Sequence, residues 1–165
     1  MADTKTADAV ALLKADHREV EEMFKKFSEA SGDGRKEKIA REICRALTVH
    51  AMIEEEIFYP ACKGKVEEDL LKESYVEHDA AKVMIAEIQA GEPSDDFYDA
   101  KVKVLCEEIE HHVEEEEKRM EGLFAQAKKA GLDMDALGEQ LAMRKQELMQ
   151  QTADGKLPKP ELTTM

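Results

Sequence analysis

Five segments of this chain repeat apolar residues at steps of three and four, and Gly or Pro punctuates the gaps between them. The first carries Val10, Leu13, Val20, Phe24 and Phe27 and stops at the run from Ser31 to Gly34. Thr6 or Asp8 stands ahead of it as an N-cap, because either side-chain oxygen can accept a free N–H of the first turn. The second starts near Arg35, carries Ile39, Ile43, Leu47 and Ile57 or Phe58, and meets Pro60. Proline stops or kinks a helix by removing one N–H and crowding the carbonyl four residues back, and Gly64 lies just beyond. The third carries Leu71, Tyr75, Ala81, Ile85 and Ile88 and ends at Gly91 to Pro93. The fourth opens with Ser94 as cap, continues through Tyr98, Val102, Leu105, Ile109, Met120 and Leu123, and stops at Gly131. A shorter fifth, Asp133 to Gln150, carries Met134, Leu137, Leu141 and Leu148.

Strands lack material here, since aromatics are 5% of the chain and β-branched runs are missing. The pattern predicts an all-α fold: an up-down-up-down antiparallel four-helix bundle with an additional short C-terminal helix packed outside as a brace or cap. Residues 1–150 make up that unit. Residues 151–165, with two prolines and little apolar content, are expected to form a flexible tail.

The same stripes carry polar residues that do not belong in a core. His17 lies in the first stripe, His50 and Glu54 in the second, His78 in the third, and His112 and Glu116 in the fourth. His50 follows His17 by 33 residues and His112 follows His78 by 34, so a lone His followed by a His-x-x-x-Glu pair occurs twice. Helical residues four apart stand above one another, with Cβ atoms about 5–6 Å apart, so each pair can hold one ion or bridge to a second. Burying four imidazoles and two carboxylates uncompensated would cost several kcal/mol, and metal ions remove that cost. His17, His50, Glu54, His78, His112 and Glu116 are therefore the candidate metal ligands, enough for two ions with two His each and both carboxylates bridging. Imidazole with a minority of carboxylate suits iron(II), zinc or manganese, and spare positions suit iron and a small oxidant. A carboxylate-rich design with Glu-x-x-His pairs on the inward faces is absent.

His111 is set apart, because its helical neighbours Val104, Glu108, Glu115 and Lys118 form a mostly polar face. It reads as a solvated residue or as one standing behind the ligands. Glu55, Glu56 and Glu117 read the same way. Tyr59 and Tyr75 read as packing residues and the nine methionines as filler and surface. No residue is marked as catalytic.

The net charge of −14 repels nucleic acid and gives no attraction to anionic membranes. The first ten residues lack a basic start and apolar run, and nothing approaches the roughly 20 apolar residues of a membrane span. Three cysteines, Cys44, Cys62 and Cys106, without C-x-x-C spacing fit a reducing compartment. The expectation is a cytoplasmic protein without membrane or nucleic-acid partners; oligomeric state is left open.

The stretches Leu13 to Val20, His50 to Pro60, Glu77 to Asp79 and His111 to Glu117 make the chain similar to the hemerythrin-like (HHE cation-binding) domains over roughly residues 8–127. That resemblance implies a four-helix bundle around a non-haem di-iron centre with a bridging oxo or hydroxo group, held by the six residues above. The marine oxygen carriers of this family use five His, with a His-x-x-x-His pair on the third helix and an Asp on the fourth. Here Ser74 and Lys82 occupy the positions four from His78, and a Glu replaces the Asp. The four-His, two-Glu set resembles the di-iron domain of bacterial iron-sulfur repair proteins and implies an extra open position. The functions implied are O2 binding for storage, delivery or sensing. The alternatives are an enzyme removing peroxide or nitric oxide, and an iron-handling or iron-sulfur repair protein.

Overall fold

A computed structural model describes residues 7–165; Thr6, one of the two candidate caps, lies outside the described residues. Asp8 caps the first helix, accepting from the Ala11 N–H at 2.8 Å. The helices are α1 (Ala9–Glu29), α2 (Asp33–Ile53), α3 (Tyr59–Cys62), α4 (Glu68–Ala90), α5 (Tyr98–Glu117), α6 (Leu123–Lys129) and α7 (Met134–Gln151), and one π-helical turn, Glu54–Phe58, joins α2 to α3. Strands are absent among the described residues. α1, α2, α4 and α5 form the four-helix bundle, and α7 packs outside it on α1 and α2. Gly138 makes that approach possible, because a Cβ there would lie 2.3 Å from the Ala7 carbonyl oxygen.

The apolar stripes bury two clusters. Val20, Phe24, Ile43, Leu47, Ile85 and Leu105 belong to one, near the α1–α2 and α4–α5 turns. Leu13, Ile53, Phe58, Leu71, Leu123 and Leu141 belong to the other, at the end closed by α3, α6 and α7. His17 falls between Leu13 and Val20 on its stripe, and His50 between Leu47 and Ile53, so a polar layer separates the two apolar ones.

Three details depart from the sequence expectation. Pro60 does not end the second helix. The Tyr59 N–H reaches back five residues to the Glu54 carbonyl, and this wider turn leaves room for the proline ring and absorbs its missing N–H. The fourth helix is not continuous to Gly131. It ends at Glu117, turns through Met120 at φ 70°, and resumes at Leu123. Four consecutive glutamates at a helix C-terminus oppose the macrodipole, which favours ending there. Ser94 is not the cap of α5, which starts later with Phe97 in that position; Asp95 instead closes the preceding turn by accepting from the Glu92 N–H. The C-terminal stretch runs back over the bundle, and its Thr163 and Thr164 hydrogen-bond to Glu55 and Asp79.

Candidate metal centre

Six side chains meet in the polar layer. His17, His50, His78 and His112 are at most 7% exposed, and Glu54 and Glu116 are fully buried. The Nε2 atoms pair across the bundle, His17 with His50 at 3.2 Å and His78 with His112 at 3.2 Å. The carboxylates stand between the pairs. Glu54 Oε1 is 2.8 Å from His50 Nε2 and 3.3 Å from His78 Nε2. Glu116 Oε1 is 3.3 Å from both His17 Nε2 and His112 Nε2. Both oxygens of Glu54 and Oε1 of Glu116 are buried without a hydrogen-bond partner. An unsatisfied buried acceptor costs about 1–3 kcal/mol, more when charged, so this donor set fits cations better than it fits an empty core.

The other ring nitrogens show how the site is held. His17 Nδ1 lies 2.6 Å from Glu117, His50 Nδ1 2.9 Å from Asp16, His78 Nδ1 3.0 Å from Glu55 and His112 Nδ1 2.9 Å from Glu77. A carboxylate only accepts, so each Nδ1 carries a proton, and Nε2 is the nitrogen left to face a cation once its own proton is displaced. These four carboxylates form a closed ring. Asp16 on α1 holds the His of α2, and Glu55, just after α2, holds the His of α4. Glu77 on α4 holds the His of α5, and Glu117 on α5 holds the His of α1. Each ring member is the sequence neighbour of one metal-layer residue and orients a different one on the next helix. Basic groups back the ring from outside: Lys145 of α7 on Asp16, Lys82 on Glu55 at 3.0 Å and Arg18 on Glu117 at 2.6 Å.

All six sequence-derived ligand candidates are thus in one cluster. His111 is outside it, exposed, 3.1 Å from Glu115 and 3.6 Å from Glu77. Ser74 and Lys82 do not join it either; Ser74 donates to the Leu70 carbonyl. What sequence reasoning placed among packing residues is Tyr59. Its hydroxyl donates to Glu116 Oε2 at 2.8 Å and lies 3.1 Å from His78 Nε2 and 3.3 Å from His112 Nε2. The π-turn is the cause: a step of five from Glu54 brings Tyr59, instead of Phe58 alone, onto the inward face. A Pro immediately after a Tyr in this stripe was the available signal. Burial and the nearby Glu116 and Glu54 push the phenol well above its ordinary range, so it keeps its proton. Beyond the break after α5, Phe124 stacks on the His17 ring with centroids 5.8 Å apart and meets Phe58 edge-on. That closes this end of the layer to water.

Burial opposes charge on His50, yet Glu54 and Asp16 outweigh it and lift the imidazole to about 10 in the metal-free protein. His78 is raised by Glu54 and Glu55, and His112 well raised by Glu116 and Glu77, against the same burial. A protonated imidazole has no lone pair for a cation, so metal must displace these protons. Loading metal-free protein with zinc at neutral pH is expected to release protons, and apparent affinity to rise with pH. A titration in weak buffer with a pH indicator checks this; proton uptake, or affinity independent of pH, would contradict it.

Antiparallel helices that turn imidazoles and carboxylates onto one buried layer define a metal-binding bundle. Residues 8–124 match the model of the hemerythrin HHE cation binding domain, and the chain belongs to that family. Its fold is similar to that of a hemerythrin HHE cation binding domain-containing protein from Mycobacterium kansasii, with TM-score 0.76, 22% identity, and coverage of 90% of this chain and 91% of that one. It is also 26% identical over 116 residues to a DNA nickase of Nostoc sp. (strain PCC 7120 / SAG 25.82 / UTEX 2576). That match takes in 70% of this chain but 33% of the relative, so the chain spans about a third of that protein. No described helix is long and apolar enough to cross a membrane.

Proposed function

We propose that this protein holds two non-haem iron ions and binds O2 at them, for storage, delivery or sensing. His17 and His50 would hold one ion and His78 and His112 the other, with Glu54 and Glu116 available to both. The observation that carries this is the placement of each glutamate oxygen between an imidazole of one pair and an imidazole of the other. Bound iron(II) would supply the electrons for dioxygen capture. The chain supplies the rest: the ring of carboxylates fixes the imidazoles, Phe124 and Phe58 exclude water, and Tyr59 keeps a hydroxyl proton beside the His78/His112 pair.

That proton favours a second reading, an enzyme that removes peroxide or nitric oxide, because reductive cleavage of peroxide consumes protons. The activity in the name of the Nostoc relative is not carried over. Most of that protein lies outside the match, and the charge of −14 disfavours a DNA partner. The test is metal analysis followed by exposure of anaerobically reduced protein to O2. An absorption band that forms with O2, vanishes on degassing and returns supports binding. Irreversible oxidation with multiple-turnover loss of added peroxide or nitric oxide supports the enzyme. Zinc, or no metal, in place of iron rejects both.

A further inference from the structure

A cavity of about 750 Å³ opens beside the metal layer, between α2 and α4. The imidazoles His17, His50, His78 and His112 line one end of it, and Leu47, Ala81, Ile85 and Val113 line its walls. Its outer wall belongs to the C-terminal segment, with Leu157 also packing against the apolar cluster there. We propose that this cavity is a binding pocket for an uncharged, apolar organic molecule and that the C-terminal segment is its lid.

Size argues against a diatomic gas as the sole occupant, since small-molecule pockets run about 300–1,000 Å³ and a water fills only about 30 Å³. Charge argues for a neutral ligand. Lys82 at the rim already donates to Glu55, Asp79 and the Glu161 carbonyl, and Arg41 donates to Glu37 and Gln89. Neither of these helix-borne cations is left to select a carboxylate, and Lys159, the other cation of the lining, is outnumbered there by Asp16, Glu55, Glu56 and Glu161.

The lid is fastened at both ends. At its start, the buried Thr152 receives Arg45 and donates to the Leu148 carbonyl, and Gly155 follows at φ 82°, a backbone hinge suited to glycine. At its end, Asp79 accepts from the Thr163 N–H at 2.9 Å, the Thr164 N–H at 2.7 Å and the Thr164 hydroxyl at 2.6 Å, while the Thr163 hydroxyl donates to Glu55 at 2.7 Å. Asp79 is fully buried, and the lid supplies most of its partners. When the latch opens, Asp79 loses its cover together with those partners, so no charge is stranded in the interior. That makes the latch reversible.

The test uses N-phenyl-1-naphthylamine, an uncharged fluorescent probe, with 1-decanol as competitor, on the full chain with and without metal, so the outcome does not depend on the iron assignment. Saturable binding of the probe at one site per chain, displaced by decanol, is expected. Ala86→Trp, which fills the half-buried wall of the cavity, should weaken binding by about tenfold or more. Leu157→Asp, which puts a charge on the lid's apolar contact with the bundle, should do the same if Ala86→Trp fails to fold. Thr164→Pro removes the N–H that Asp79 receives and should speed probe association by about tenfold. Absence of saturable binding, or affinity unchanged in the folded wall and lid variants, overturns the pocket. An association rate unchanged in Thr164→Pro overturns the lid.

Discussion

Replacing Glu54 with alanine is expected to cost both proposed iron positions together, so that iron per chain falls toward none instead of stopping at one. The reason is geometric. One oxygen of Glu54 lies within 3.3 Å of imidazole nitrogens from both pairs, so on the proposed assignment its loss removes a donor and a negative charge from each ion. Mutating a group that merely orients a ligand costs roughly 10–100-fold in metal affinity, and loss of a shared ligand should exceed that at both positions. His78→Ala removes a donor from one pair and should leave the His17/His50 position partly loaded. His111→Ala, at an exposed side chain outside the cluster, should keep the full complement. Elemental analysis after desalting decides the matter. A Glu54→Ala protein that retains one tightly held ion would confine Glu54 to a single position and reject the bridge.

The positions of these six residues were legible because helix periodicity is a local property. A residue in an apolar stripe of a long helix faces the core whatever the partner helices are, so His17, His50, His78 and His112 could be separated from His111 by phase alone. The carboxylate ring was not legible for the converse reason. Asp16, Glu55, Glu77 and Glu117 sit beside layer residues in sequence, yet each serves an imidazole on the next helix. Which helix lies next, and at what height, is set by packing. In a chain with so many acidic residues, nothing local distinguishes Glu55, which holds His78, from Glu56, which pairs with Arg144 on α7.

Tyr59 and the break after Glu117 escaped for a related reason: both depend on helix irregularities that shift the phase. A stripe read at constant period runs straight from Glu54 to Phe58, and through Gly122 to Leu123. The backbone inserts one residue at the first place and a turn at the second. In both cases the irregularity brings an aromatic side chain to the layer, Tyr59 at one and Phe124 at the other. Local departures from ideal helix geometry thus furnish the groups that distinguish this centre from a bare cluster of ligands. The contact of the C-terminal stretch with the buried Asp79 was not legible either, because Asp79 lies 84 residues from Thr163.

The backbone turn after α5 is the second point at which one atom should have a large effect. A Cβ on Gly122 would lie 2.6 Å from the Lys118 carbonyl oxygen, 2.7 Å from the Glu116 carbonyl oxygen and 2.7 Å from the Lys118 nitrogen. All three are backbone atoms, so no rotamer change relieves the clash, and the end of α5 must move. That end holds Glu116, which lies in the metal layer, and Glu117, which orients His17; the chain just beyond Gly122 holds Phe124, which covers His17. Overpacking of this kind costs about 1–3 kcal/mol. At about 2–4 °C per kcal/mol for a chain of this size, Gly122→Ala should lower the thermal midpoint of the metal-free protein by several degrees. Iron retention should fall further than that loss of stability alone would cause, because the displaced segment carries a proposed ligand, an orienting group and a cover together. Gly34→Ala is the matched control: nothing lies within 4 Å of a Cβ there, and removing a glycine from a helix should leave stability unchanged or slightly raised. Thermal melts of both variants without metal, paired with iron content after loading, separate the two effects. A Gly122→Ala protein that melts and loads like wild type would show that the turn is soft and that α5 does not set the position of Glu116.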